Sequence, residues 1–167
     1  MKVAVFSCKP YDKRTLIDAN KDNNIELAFF ESRLSEETVS LAQGFDAVSC
    51  FVNDQLNALV LEVLAKHQIK SIALRCAGYN NVDLVAAKSL NITVFHVPDY
   101  SPTSVAEHAV ALILSLNRKT HKAYQRVKEG NFALEGLMGF NLSGKTVACI
   151  GTGRIGLAFI QIMQGFG

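Results

Sequence analysis

SIALRCAGYNNVDLVAAKSLNITVF, residues 71–95, decides the fold class. Residues 71–75 form a short β-prone run that ends at the turn-forming AGYNN, residues 83–90 carry helix formers, and ITVF at 92–95 is β-branched and aromatic again. Strand, turn, helix and strand in that order make a βαβ unit, whose two strands are parallel because the chain crosses back before pairing.

The same cadence extends upstream. VAVF at 3–6, ELAFF at 26–30 and AVSCFV at 47–52 read as strands, with helical spacing or composition at 11–23, 35–43 and 56–67. Five strands alternating with helices predict an α/β domain over residues 1–100, a parallel sheet covered by helices on both faces.

Downstream the pattern changes. PDYSPTSVAEH opens a long helix, with Pro102 in its first turn and Ser104 and Glu107 at capping-box spacing. Its apolar positions Val105, Ala106, Ala109, Val110, Leu112, Ile113 and Leu116 keep a helical period. The stretch 117–128 then turns basic through Arg118, Lys119, Lys122, Arg126 and Lys128, which reads as a solvated helix face with no interleaved aromatic platform for nucleic acid. Residues 130–144 form an irregular, glycine-rich connection, so 101–144 is expected to be an interdomain helix and arm. TVACI at 146–150 predicts a sixth strand, and residues 145–167 end in an apolar helix.

Composition narrows the function classes. The chain has 167 residues, 49% hydrophobic and 19% charged, a net charge of +2 and four cysteines. Its mean hydropathy is +0.18. That balance excludes disorder and gives no electrostatic argument for nucleic acid or membrane. The longest apolar run, 109–114, falls far short of the roughly 20 residues of a membrane span. Cys8, Cys50, Cys76 and Cys149 lack C-x-x-C pairing and lie in or beside apolar runs, which fits reduced thiols in a cytoplasmic protein.

Two glycine patterns compete for phosphate. GFNLSGKT at 139–146 matches the phosphate-loop letters, but a loop precedes it and a β-branched run follows, the reverse of the strand-to-helix context that loop requires. GTGRIG at 151–156 comes off a β-branched run and enters a helix. There Gly151 permits the tight turn, Gly153 admits a pyrophosphate to the backbone and Gly156 allows close packing, while the amides of Arg154 and Ile155 open the helix toward the phosphates. This pattern points to a dinucleotide.

RCAGYNNVD (75–83), VPDYSPTSVAEHA (97–109) and NFALEGLMGFNLSGKTVACIGTGRIG (131–156) together resemble the D-isomer-specific 2-hydroxyacid dehydrogenases, most closely their fermentative D-lactate branch. The resemblance implies a flavodoxin-like substrate domain followed by a long helix and the first βα unit of a Rossmann domain, with the active site in the cleft between domains. It implies NAD as cofactor, with an incomplete site here because the acidic residue that holds the ribose hydroxyls and the next parallel strand are expected beyond residue 167, and pyruvate/lactate as the 2-oxo/2-hydroxy acid pair. The backbone of Ala77 and Gly78 would receive the substrate carboxylate, Tyr100 would approach the substrate and Val105 would pack on the nicotinamide. Independently of the family, a strand end, a glycine and a helix N-terminus at 81–83 form a sound anion site. The arginine, histidine and glutamate that perform the chemistry in such enzymes lie in a half that this chain does not match. His67, His96, His108 and His121 show no ligand or triad spacing and read as structural.

The expectation is therefore the N-terminal portion of an NAD-dependent oxidoreductase, inactive on its own and homo-oligomeric through the long helix. Two alternatives stand beside it: a non-catalytic dimerisation module that pairs with a full-length relative, and a free-standing domain that binds a small anion. Residues beyond about 131 are expected to be poorly ordered alone or to be covered by another chain, because the terminal helix is apolar nearly all round.

Overall fold

The computed structural model describes all 167 residues, which divide into two compact units, Met1–Tyr100 and Ser101–Gly167. The first unit contains five strands, β1 (Lys2–Val5), β2 (Glu26–Phe29), β3 (Ala47–Cys50), β4 (Ser71–Leu74) and β5 (Thr93–Phe95). All neighbouring pairs are parallel and the order is β2-β1-β3-β4-β5, the flavodoxin-like doubly wound arrangement. Three helices belong to this unit: α1 (Pro10–Ala19), α2 (Ala58–Lys66) and α3 (Leu84–Ser89).

The period of two along β1 explains the layering. Ala4 and Phe6 join Val48, Cys50, Ile72 and Leu74 on one face, packed with Val60, Leu61 and Leu64 of α2 and Ala87 of α3. Val3, Val5, Cys8 and Ala47 occupy the other face against Leu16 of α1 and Leu27 and Phe29 of β2. That second layer stops at β3: Ala73, Thr93 and Phe95 on β4 and β5 are exposed, so helices do not cover both faces evenly. Asn57 caps α2 by accepting from the Val60 amide at 3.0 Å, and Asp83 caps α3 by accepting from the Ala86 amide at 2.9 Å.

The helix expected at 35–43 shrinks to a 3-10 turn, Val39–Ala42. Thr38 Oγ1 accepts from the Ser35 amide at 2.9 Å and donates to the Arg33 carbonyl at 2.7 Å, so side chains take the hydrogen bonds a helix would have used.

The second unit contains α4 (Pro102–Arg118), α5 (Thr120–Lys128) and α6 (Arg154–Gln164), with α4 packed against α6. Four expectations need correction here. The cap of α4 is Ser101, whose Oγ accepts from the Ser104 amide at 3.2 Å, because Pro102 already occupies the first helical turn. The long helix breaks at Lys119, left-handed at φ 52°. Nor is the basic stretch wholly solvated: Lys119 Nζ donates to the carbonyls of Gly136 and Met138, and Arg126 Nη1 to those of Ala133 and Glu135. Two cations thus tie the irregular connection back to the helices. Finally, residues 146–150 form no strand, because a strand needs a neighbour to complete its ladder and the second unit contains no other strand.

Candidate active site

In parallel α/β sheets, ligands bind beyond the carboxyl ends of the strands, most often where the strand order reverses. Here the reversal lies between β1 and β3, and the Arg75 guanidinium spans it. Its Nη2 donates to the Phe6 carbonyl at 2.8 Å and its Nη1 to Ser49 Oγ at 3.0 Å. Arg75 Nε is buried without a hydrogen bond, 3.8 Å from Asp12 Oδ1, and the guanidinium carbon stands 5.8 Å from the Phe51 ring centre. The crevice that holds a ligand in other sheets of this order is thereby filled from within.

A second polar group stabilises the same edge. Asp54 is 1% exposed, and its carboxylate accepts from Ser7 Oγ at 2.6 Å, the Leu34 amide at 2.8 Å and the Phe51 amide at 2.6 Å. These donors follow β1, β2 and β3, so one carboxylate gathers three strand exits. Ser7, left-handed at φ 51°, keeps that unfavourable conformation with its amide on the Ser32 carbonyl at 2.9 Å. Asn81 Nδ2 donates to the Asp54 carbonyl at 2.9 Å and joins the exit of β4 to the group.

With the reversal point occupied, open space lies at the exit of β4. Ala77 is half-buried and Gly78 exposed, and neither amide makes a backbone hydrogen bond. Their carbonyl neighbours are engaged. Cys76 O accepts from the Val97 amide at 3.0 Å, Ala77 O pairs with His96 Nδ1 at 2.9 Å and Gly78 O accepts from Cys76 Sγ at 3.2 Å. A Cβ added at Gly78 would meet nothing within 4 Å. The helix N-terminus expected to assist begins later than residue 81: α3 starts at Leu84, and the Asp83 carboxylate already occupies its first turn. An anion at this exit is therefore left to the loop amides. Tyr100 is 66% exposed at the end of the first unit.

Three thiols surround this edge, each held toward its neutral form. Burial raises the Cys50 thiol well above its ordinary range, Asp54 raises it further and Arg75 opposes the rise. Cys8 and Cys76 are raised as well, chiefly by burial. A protonated Cys76 is the form that donates to Gly78 O. All four cysteines are free, and no group of three or more ligating side chains is arranged for a metal. No helix is long and apolar enough to cross a membrane.

In the second unit the three glycines of GTGRIG differ in what they permit. Gly151 sits at φ 98°, where L side chains are strained, and Gly153 is the extended residue before α6, where an added Cβ would meet nothing within 4 Å. A Cβ on Gly156 would collide with the Gly151 carbonyl. Arg154 and Ile155 form the first turn of α6, which has no side-chain cap. Val105, in the first turn of α4, is 39% exposed.

Comparison with known proteins agrees with this architecture. Residues 3–153 match the family model of the D-isomer specific 2-hydroxyacid dehydrogenase catalytic domain. The chain is 53% identical to D-lactate dehydrogenase of Escherichia coli over 167 residues, all of this chain and 51% of that protein. The apo structure of D-lactate dehydrogenase from Escherichia coli superposes with a TM-score of 0.93 at 53% identity, covering 100% of this chain and 53% of the other. D-lactate dehydrogenase with NAD+ from Lactobacillus jensenii gives a TM-score of 0.70 at 35% identity, covering 100% and 51%. The chain spans about half the length of the curated relatives it matches. A match over residues 3–153, together with a superposition over the whole chain at a TM-score of 0.93, makes this chain a member of the D-isomer specific 2-hydroxyacid dehydrogenase family.

Proposed function

We propose that this chain supplies the 2-oxo-acid-binding half of an NAD-dependent D-lactate dehydrogenase, which reduces pyruvate to D-lactate with NADH in the cytoplasm. The observation that carries this reading is the β4 exit, where the Ala77 and Gly78 amides have no backbone acceptor while the carbonyls beside them are held. Such amides hold a carboxylate by charge-assisted hydrogen bonds. The relatives named as D-lactate dehydrogenases support the choice of substrate.

The second unit fits a dinucleotide. An open approach at Gly153, a left-handed turn at Gly151 and an uncapped start to α6 suit a pyrophosphate held by the backbone of Gly151, Gly153, Arg154, Ile155 and Gly156. The Lactobacillus jensenii structure with NAD+ supports the identity of that group. When bound, NAD supplies the hydride acceptor or donor. Val105 would present an apolar surface to the nicotinamide and Tyr100 its phenol to the substrate. The amides of Ala77 and Gly78 bind and orient, but they move no proton. On this reading the 167 residues bind substrate without turning it over, and the polarising cation and proton donor belong to the remainder of the enzyme.

Titration of the 167-residue chain with oxamate, a non-reactive analogue of pyruvate, tests the proposal. At ten times its Kd, oxamate is expected to stabilise the fold by about 1.4 kcal/mol, read as a rise in melting temperature. Gly78→Ala is expected to abolish that rise without lowering the melting temperature of the free chain, because its methyl enters open space above the amide. No response in the wild-type chain overturns the proposal.

A separate observation favours association into a homo-oligomer through α4 and the arm that follows α5. Asn117 pairs with both backbone groups of Phe140, at 2.8 and 3.0 Å, and Lys119 and Arg126 fix the carbonyls between. With its backbone tied inward, the arm still exposes Phe132 (75%), Leu134 (81%) and Met138 (87%). Large apolar side chains presented in this way mark a protein interface. Sedimentation is expected to show a dimer that Phe132→Ser with Met138→Ser dissociates; a wild-type monomer at tens of micromolar overturns this assignment.

A further inference from the structure

We infer that His96 is a positioning residue for the substrate carboxylate, acting through the peptide plane between Ala77 and Gly78; the inference rests on the anion-site reading above. His96 stands immediately beyond β5, and its Nδ1 lies 2.9 Å from the Ala77 carbonyl oxygen. A carbonyl can only accept, so Nδ1 carries the proton. The ring is set edge-on to Tyr79, centroids 5.3 Å apart at 72°, which fixes its rotation.

The consequence follows from peptide geometry. In a planar trans peptide the C=O and the following N–H point in opposite directions. Holding Ala77 O toward His96 therefore aims the Gly78 N–H away from it. The flanking planes are fixed in the same manner: Val97 N–H holds Cys76 O, which aims the Ala77 amide, and the Cys76 thiol holds Gly78 O, which aims the Tyr79 amide. Three consecutive amides, none of them with a backbone acceptor, have their directions set by contacts to the carbonyls behind them. Of these contacts, one comes from main chain and one from within the loop. His96 is the one supplied by a side chain of another segment, across 19 residues of sequence.

An exposed glycine loop free to rotate would lose entropy on ordering around a ligand, and a loop already oriented loses less. The imidazole thus raises affinity without touching the ligand. Because His96 is exposed and lies outside both cores, its removal should alter binding far more than folding.

The experiment follows the Ala77 and Gly78 amides by 15N–1H NMR during oxamate titration of the 167-residue chain, in wild type, His96→Leu and His96→Asn. Asparagine places an amide donor where histidine places Nδ1, whereas leucine keeps the bulk and loses the donor. H96L is expected to move the free-state Gly78 resonance and weaken oxamate about tenfold at an unchanged melting temperature, with H96N restoring both to within about twofold of wild type. Equal oxamate affinity in wild type and H96L, or H96N no better than H96L, overturns the inference and leaves the anion site standing. Wild-type amides at Ala77 and Gly78 that ignore oxamate overturn the anion-site reading and this inference with it.

Discussion

Asp54→Ala is expected to lower the unfolding free energy of the first unit by about 4 kcal/mol, measured as a shift of the urea midpoint at constant slope. Three donors converge on the carboxylate, the Ser7 hydroxyl and the Leu34 and Phe51 amides, at 2.6 to 2.8 Å. Asp54 is 1% exposed, so water cannot replace the lost acceptor. Each buried donor left without a partner costs about 1 to 3 kcal/mol, and a domain has about 5 to 15 in total. Asp54→Asn separates hydrogen bonding from charge. Its carbonyl can keep Ser7 and Leu34, but its NH2 then faces the Phe51 N–H, donor against donor, and roughly half the loss is expected. A change below about 1 kcal/mol for the alanine variant would show that the three strand exits are held by packing alone.

The first unit was legible because its signals are local. The β-branched runs at 3–6, 47–52 and 71–75 each produce a strand within a residue or two of the expected bounds, and the period of two in β1 feeds both layers. The 35–43 helix misleads for the opposite reason: helical composition is present, yet Ser35 and Thr38 offer the backbone nearer partners than a helix does. The segment 146–150 has strand composition and no strand, since pairing depends on a neighbour and not on the segment's own residues.

The site divides in the same way. Gly151, Gly153 and Gly156 announce themselves by spacing, because each answers a local demand of the backbone. Arg75, Asp54 and His96 do not: Arg75 meets Phe6 across 69 positions and Ser7 meets Asp54 across 47. A histidine directly after a strand was the available signal for His96, since residues beyond strand ends line the ligand-binding edge of a parallel sheet. The partner it finds, Ala77, is a matter of strand order, which a single sequence does not disclose.

Substituting alanine at each glycine of GTGRIG should give three distinct outcomes, with Gly156→Ala the largest. Its Cβ would strike the Gly151 carbonyl oxygen, with the Gly151 carbonyl carbon at 3.1 Å and Cys149 Sγ at 3.4 Å. The obstacle is backbone, which no rotamer change removes, so α6 must move outward as a body. Overpacking of this kind costs about 1 to 3 kcal/mol, and the gain in helix propensity from glycine to alanine, up to about 1, offsets part of it. A net loss of about 2 kcal/mol is expected, read as faster hydrogen exchange across α6, and it falls on a helix with no fully buried residue. Gly151→Ala meets no atom but must hold φ 98°, a strain of about 1 kcal/mol. Gly153→Ala has extended backbone and open space, so exchange across α6 should be unchanged. Its methyl would nevertheless occupy the approach to the helix start, so on the proposed dinucleotide reading NADH affinity, followed by fluorescence, should weaken at least tenfold, about 1.4 kcal/mol. A glycine retained only for packing would follow stability in both assays. Loss of NADH affinity in Gly153→Ala at unchanged exchange therefore identifies a phosphate approach, whereas unchanged affinity there would assign the motif to helix packing alone.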